Sequence, residues 1–313
     1  MNSDKQQENM QIEQTESQRV YSLFYSFFLI PLMLVVFGVL FYLLFSVITE
    51  EPTDINQLLN KLETGSIRDK SNASYNLNKL FFEDQTIYDT TYRNRINKIY
   101  NMAQSEYFLD TTLRLHTIMI MGNSGDKEFG DILIKELSST DLKNAKFRIK
   151  AIESLGKLRH FESANSIHPF LDKEKLFLEK LAAAGALGNI GNPSSIKPLI
   201  DLVNSWPQDW LASDGPELRW DAVLALLKLG YSDKTTQTLI NNLIDRSYLE
   251  DVKGYNQETK QVVRLDQNKI DFVLLKVLTI INSIEDLDLI KSFQDNIYTI
   301  SSADTNLEIR DFA

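Results

Sequence analysis

Three histidines and no cysteine set the limits of the chemistry this 313-residue chain could perform. A zinc hydrolase places two histidines one helical turn apart with a glutamate between them, and none of His116, His160 and His168 sits in such a run. Without cysteine there is no thiolate nucleophile, no disulfide and no sulfur ligand for zinc or iron–sulfur clusters. A serine hydrolase would show a Gly-x-Ser-x-Gly elbow, which is missing. Gly185, Gly188 and Gly191 follow a helical stretch rather than a strand, so a phosphate-cradling loop fails on context. The paired carboxylates Glu50-Glu51, Glu83-Asp84 and Glu285-Asp286 read as helix starts or solvated charge. No catalytic residue, metal ligand or cofactor is therefore expected from motifs alone.

The elements that would carry any site are more legible. From Val20 to Thr49 run thirty residues without Asp, Glu, Lys, Arg or His. About 20 apolar residues cross a hydrocarbon core of roughly 30 Å, so residues 20–49 are expected to form one transmembrane helix. Tyr21, Tyr25 and Tyr42 lie toward its ends, and Pro31 removes one backbone donor near its start. Residues 1–19, carrying Asp4, Glu8, Glu13 and Glu16 against Lys5 and Arg19, read as a disordered acidic leader. Arg19 on one flank and Glu50, Glu51 and Asp54 on the other favour a cytoplasmic N-terminus with residues 50–313 on the far side, the expected location being a bacterial inner membrane.

After residue 50 the chain alternates helical apolar spacing with short polar breaks. The clearest unit runs from Leu176 to Asn204: a small-residue helix over Lys180–Ile190, a turn at Gly191-Asn192-Pro193, then Ile196, Leu199, Ile200 and Val203 on one face of a second helix. Similar pairs occur at Leu113–Leu137, Phe147–Leu171 and Trp220–Ile244. Gly122, Gly156 and Gly188 recur at intervals of 34 and 32 residues, a period typical of helix-pair solenoids. Each glycine is expected to end its helix in a left-handed conformation. Two insertions interrupt the rhythm, near 205–218 with Trp206 and Trp210, and near 245–268 with a run over Gln261–Leu265 that could be extended.

The Ala-Leu-Gly-x-Ile-Gly-Asn-Pro stretch at 186–193, followed by Ile-x-Pro-Leu-Ile at 196–200, resembles a HEAT-like repeat of the short kind also found in phycobilisome lyases. The resemblance implies an all-α architecture: a single transmembrane helix followed by an α-solenoid of about five to six HEAT-like helix pairs. Some HEAT-like enzymes are di-iron hydroxylases built on repeated His-Glu pairs, and no His-Glu dipeptide occurs here, so that activity does not carry over. A chromophore lyase is the enzyme the resemblance brings into view. Against it stand the anchor and the lack of basic residues for tetrapyrrole carboxylates beyond Arg148, Arg159 and Arg219.

The net charge of -10 argues against nucleic acid as partner, since phosphate binding needs clustered Lys and Arg. The second helices of HEAT-type solenoids commonly line the concave side. Here they offer Lys127, Asp131, Lys135, Asn165, His168, Lys197 and Asp201 as contacts for a protein partner, with Trp206 and Trp210 as aromatic anchors in the insertion. The expectation is accordingly a membrane-anchored, noncatalytic scaffold or accessory subunit, with a membrane complex as its natural partner. The alternative is an enzyme of lyase type with a site in the solenoid groove.

Overall fold

Leucine, alanine and isoleucine at helical spacing, broken every ten to fifteen residues by Asp, Asn, Ser or Gly, leave little choice but a row of short helices. The computed structural model describes residues 24–49, 54–104, 111–172, 174–205, 215–256 and 261–313. These divide into two compact units, Met1–Asp54 and Ile55–Ala313. The acidic leader at residues 1–19 and both tryptophans of the insertion, Trp206 and Trp210, lie outside the described residues.

In the first unit a π-helical turn, Tyr25–Leu29, leads into α1, Ile30–Thr49. The change of winding sits beside Pro31, whose ring cannot accept the ordinary α register of the preceding turn. Its span Phe27–Leu44 is long and apolar enough to cross a membrane, and none of it is buried within the chain.

The second unit is an all-α solenoid with one small hairpin. Its helices are α2 (Ile55–Thr64), α3 (Ile67–Glu83), α4 (Arg93–Gln104), α5 (Thr111–Asn123), α6 (Gly130–Leu137), α7 (Ala145–Leu158), α8 (Ala164–Ile167), α9 (Phe177–Ile190), α10 (Ile196–Ser205), α11 (Glu217–Lys228), α12 (Lys234–Ile244) and α13 (Arg246–Asp251). Strands β1 (Lys253–Asn256) and β2 (Gln261–Arg264) then pair antiparallel, Lys253 opposite Arg264. The chain closes with α14 (Gln267–Asn282), α15 (Leu287–Lys291), α16 (Gln294–Ala303) and α17 (Leu307–Phe312). The first helix of each pair stacks on the next: α3 on α5, then α7, α9 and α11. One continuous apolar core runs the length of this stack, from Leu58 to Ile309.

The repeated glycines have a different job from the one expected. Gly122, Gly156 and Gly188 lie inside α5, α7 and α9, not at left-handed ends. The left-handed residues come three positions later, at Gly125, Arg159 and Gly191, with Gly230 in the same place after α11. A Cβ on Gly156 would sit 2.8 Å from the Cα of Ala186, and one on Gly188 would sit 2.7 Å from the Cα of Ala225. They are contact glycines that let successive first helices touch backbone to backbone. Three second helices are entered through a 3₁₀ turn, at Lys127–Phe129, Phe161–Ser163 and Pro193–Ser195, and the first helix α7 through another at Leu142–Asn144. Asp126, Asn192 and Asp141 cap three of these turns with their side chains.

Buried carboxylates tie the layers together. Asp126 accepts from Tyr88 Oη at 2.7 Å, from Arg93 Nε at 2.6 Å and from the Glu128 N–H at 3.1 Å. Burial alone would raise its pKa, but the Arg93 and Tyr88 hydrogen bonds outweigh it and hold the carboxyl below its ordinary value. A depressed carboxylate pKa contributes stability that is complete above the unfolded value of about 3.9 and is lost as pH falls through the lower folded value. Asp126→Asn is thus expected to destabilise the fold by about 1–3 kcal/mol at pH 7 through its lost charged hydrogen bonds. Urea unfolding at pH 7 and pH 3 should show the variant losing less stability on acidification than the unaltered chain; equal losses would contradict this role.

Candidate ligand groove

The three histidines are all engaged in packing. His116 Nδ1 lies 2.5 Å from Ser74 Oγ, which also donates to the Ser71 carbonyl. His160 packs its ring over Gly130. His168 bonds Ser195 Oγ at 3.1 Å, and burial moves its pKa down. Among the described residues no His, Asp and Glu cluster could hold a metal ion.

The residues expected to meet a partner are spread along the second-helix row. Lys127, Asp131, Lys135 and Asn165 are exposed, His168 is half-buried, and Lys197 pairs with Asp201 at 3.3 Å on α10. They share a row but do not converge on a common point of chemistry.

Convergence occurs instead on the first-helix row, where α9, α11 and α14 frame a groove of about 250 Å³. Phe177 and Leu181 come from α9, Glu217, Trp220, Asp221 and Leu224 from α11, and Lys269, Phe272, Val273 and Lys276 from α14. Spacings of three and four residues put each set on one stripe of its helix, so three helices supply one wall each. Trp220 forms the floor, only 6 % exposed, while the ring of Phe272 stands 59 % exposed at the rim. Two ion pairs bracket these apolar surfaces. Lys269 Nζ lies 3.8 Å from Glu217 Oε1, and Lys276 donates to Asp221 in direct contact. An apolar pocket with a few facing acid–base pairs is the usual make-up of a small-molecule site.

Further along α11, outside the groove's lining, Lys228 donates from its Nζ to Asn189 Oδ1 at 2.7 Å. Desolvation, then the charge of Lys276, push its pKa down; Asp221 opposes this and Arg159 adds to it. A second cavity of about 320 Å³ near the C-terminus contains Arg246, but its guanidinium is committed to Asp304, Asp271 and Gln267. That cavity is a structural junction.

Residues 180–205 match the PBS lyase HEAT-like repeat. No curated protein matches the chain. Among solved structures, the complex of CpcE and CpcF of phycocyanin lyase from Nostoc sp. PCC7120 is similar, with a TM-score of 0.50 and 14 % identity, covering 80 % of this chain and 96 % of that one. The second unit therefore is a HEAT-like α-solenoid. These likenesses also correct the expectation of a noncatalytic scaffold: both the repeat and the matched architecture are those of lyases, which favours the enzyme alternative. The physical reason for the error is that the groove's charged and aromatic residues come singly from separate helices, so no motif announced them.

Proposed function

We propose that this chain is a lyase-type enzyme whose substrate lies in the groove between α9, α11 and α14. The observation that carries the reading is the groove itself: aromatic and aliphatic walls with two acid–base pairs, on an architecture shared with phycocyanin lyase. Its walls suit a flat, ring-bearing body, and the resemblance to phycobilisome lyases implies a tetrapyrrole chromophore as the substrate class. Trp220, Phe177 and Leu181 exclude water from that body, and Phe272 covers it from the rim. Glu217–Lys269 and Asp221–Lys276 are the groups placed to hold or move a proton on it.

The enzyme works beside a protein partner, as the matched lyase is itself a two-subunit complex. The second-helix row, with Lys127, Asp131, Lys135, Asn165, Lys197 and Asp201 exposed, is the surface for that contact. Phe27–Leu44 crosses a membrane and holds the enzyme there, with the N-terminus on the cytoplasmic side.

The test is a visible-absorbance titration of the full-length protein in detergent with biliverdin. Saturable binding is expected, and Phe272→Glu should weaken it about tenfold or more by placing a charge in the apolar rim. Since Phe272 is exposed, that variant should keep its melting temperature. An unaltered chain that leaves the biliverdin spectrum unchanged would sink the reading.

A further inference from the structure

Helix α3, Ile67–Glu83, turns Lys70, Ala73, Leu77 and Phe81 into the core, which leaves positions 67, 71, 75 and 82 on its outward side. Three of these carry large apolar groups in the open: Ile67 is 75 % exposed, Tyr75 65 % and Phe82 70 %. Among the described residues no other helix of the second unit leaves more than two large hydrophobic side chains exposed. Cations flank the stripe. Arg68 and Lys79 are exposed along its edge, and Lys157 of α7 holds its Nζ 5.4 Å over the Phe82 ring. The acids nearby serve the ends of the helix: Asp69 accepts from the Ser66 N–H at 3.1 Å and Asp84 from the Thr86 N–H at 2.9 Å, with Glu83 as the last helical residue. Aromatic and aliphatic groups edged by Lys and Arg, with a protein core behind them, are the make-up of a helix that lies along a membrane surface.

Chain length brings such a surface within reach. α1 ends at Thr49 and α2 begins at Ile55, so at most about 20 Å of extended chain separates the two ends. α2 in turn packs on α3. In a chain of net charge -10, a face that is both apolar and basic is the one that fits anionic lipid. We propose that this face of α3 rests on the bilayer that α1 crosses, with Ile67, Tyr75 and Phe82 among the lipid headgroups and Arg68, Lys79 and Lys157 against anionic phosphates. This rests on α1 as a membrane anchor and adds a second attachment, which holds the solenoid against the surface in place of a tether alone.

The chain has no cysteine, so a single introduced one can carry a probe. The full-length protein is placed in nanodiscs of phosphatidylcholine and phosphatidylglycerol, with a nitrobenzoxadiazole label on Tyr75→Cys or, as reference, on Asp131→Cys of α6, an exposed position. Lipid bearing a doxyl group near its headgroup should quench the label at position 75 about threefold or more strongly than the label at position 131. Arg68→Glu together with Lys79→Glu should cut the quenching at position 75 about twofold or more, as should nanodiscs of phosphatidylcholine alone. Quenching no stronger at 75 than at 131, in a protein that alkaline carbonate does not strip from vesicles, would overturn the proposal and leave the anchor standing. Release by carbonate would overturn both, so the two failures are distinguishable. A blue-shifted label at 75 that doxyl lipid does not quench would put a second copy of the chain on this face and overturn the proposal. Quenching at 75 that survives both charge reversals would overturn the part given to the cations.

Discussion

Gly188→Ala should destabilise the solenoid by about 2–3 kcal/mol or more, whereas Gly185→Ala, one turn away in the same helix, should stabilise it by up to about 1 kcal/mol. Both changes add the same methyl group and the same gain in helix propensity. The difference is what the methyl meets. At Gly185 nothing lies within 4 Å, while at Gly188 the new Cβ would stand 2.7 Å from the Cα of Ala225 on α11. Backbone cannot rotate away as a side chain can, so α9 and α11 must separate, and the core between them opens. For a unit of this size the loss corresponds to a fall in Tm of roughly 4–12 °C. Thermal unfolding of the two variants side by side decides it. If Gly188→Ala melts with or above the unaltered chain, the first helices do not stack as described.

Arg148→Met is the second large effect, about 3–5 kcal/mol, because it strands a buried charge. The guanidinium is 6 % exposed and donates to Glu179 Oε1 at 2.7 Å, and to the carbonyls of Ser139 and Asp141 at 2.8 and 2.7 Å. It thus pins the loop before α7 to the start of α9. Glu179, 3 % exposed, also accepts from the Leu176 N–H at 3.3 Å and closes the first turn of its own helix. Removing the arginine leaves this carboxylate buried without its counter-charge. Changing both residues, Arg148→Met with Glu179→Leu, should recover a large part of the loss, since the desolvation cost disappears with the charge. Urea unfolding of single and double variants measures this. A double variant no more stable than Arg148→Met alone would show that the pair matters through the loop carbonyls and not through charge.

How far the sequence spoke depended on the range over which a feature is encoded. The period of Gly122, Gly156 and Gly188 revealed the stack because every repeat must solve the same packing problem in the same place. Their chemistry was misread: a glycine near the end of an apolar helix resembles a cap, and only the approach of Ala186 and Ala225 shows it as a contact. The true left-handed position at Arg159 was invisible, since a non-glycine there gives no compositional sign. Asp84 and Asp286 were legible as helix-start residues because capping is local, and each indeed receives backbone N–H groups of the turn it opens. The groove was not legible. Trp220 and Phe272 each look like one more member of an amphipathic helix, and Lys269 and Lys276 like solvated charge. Their meeting depends on how α9, α11 and α14 pack, and these helices are separated in the chain by the insertions near 205–218 and 245–268. Arg148, considered at first as a base for a ligand's acid group, is consumed by Glu179.

The measurement that bears most directly on the central claim is chromophore release or transfer from phycocyanin by the full-length protein, followed by visible absorbance, for the unaltered chain and for Phe272→Glu. Activity in the unaltered chain, reduced at least tenfold in a variant of unchanged melting temperature, is the expected result and places a lyase-type reaction in the groove. Equal rates in the two proteins, or no turnover in either, would contradict it.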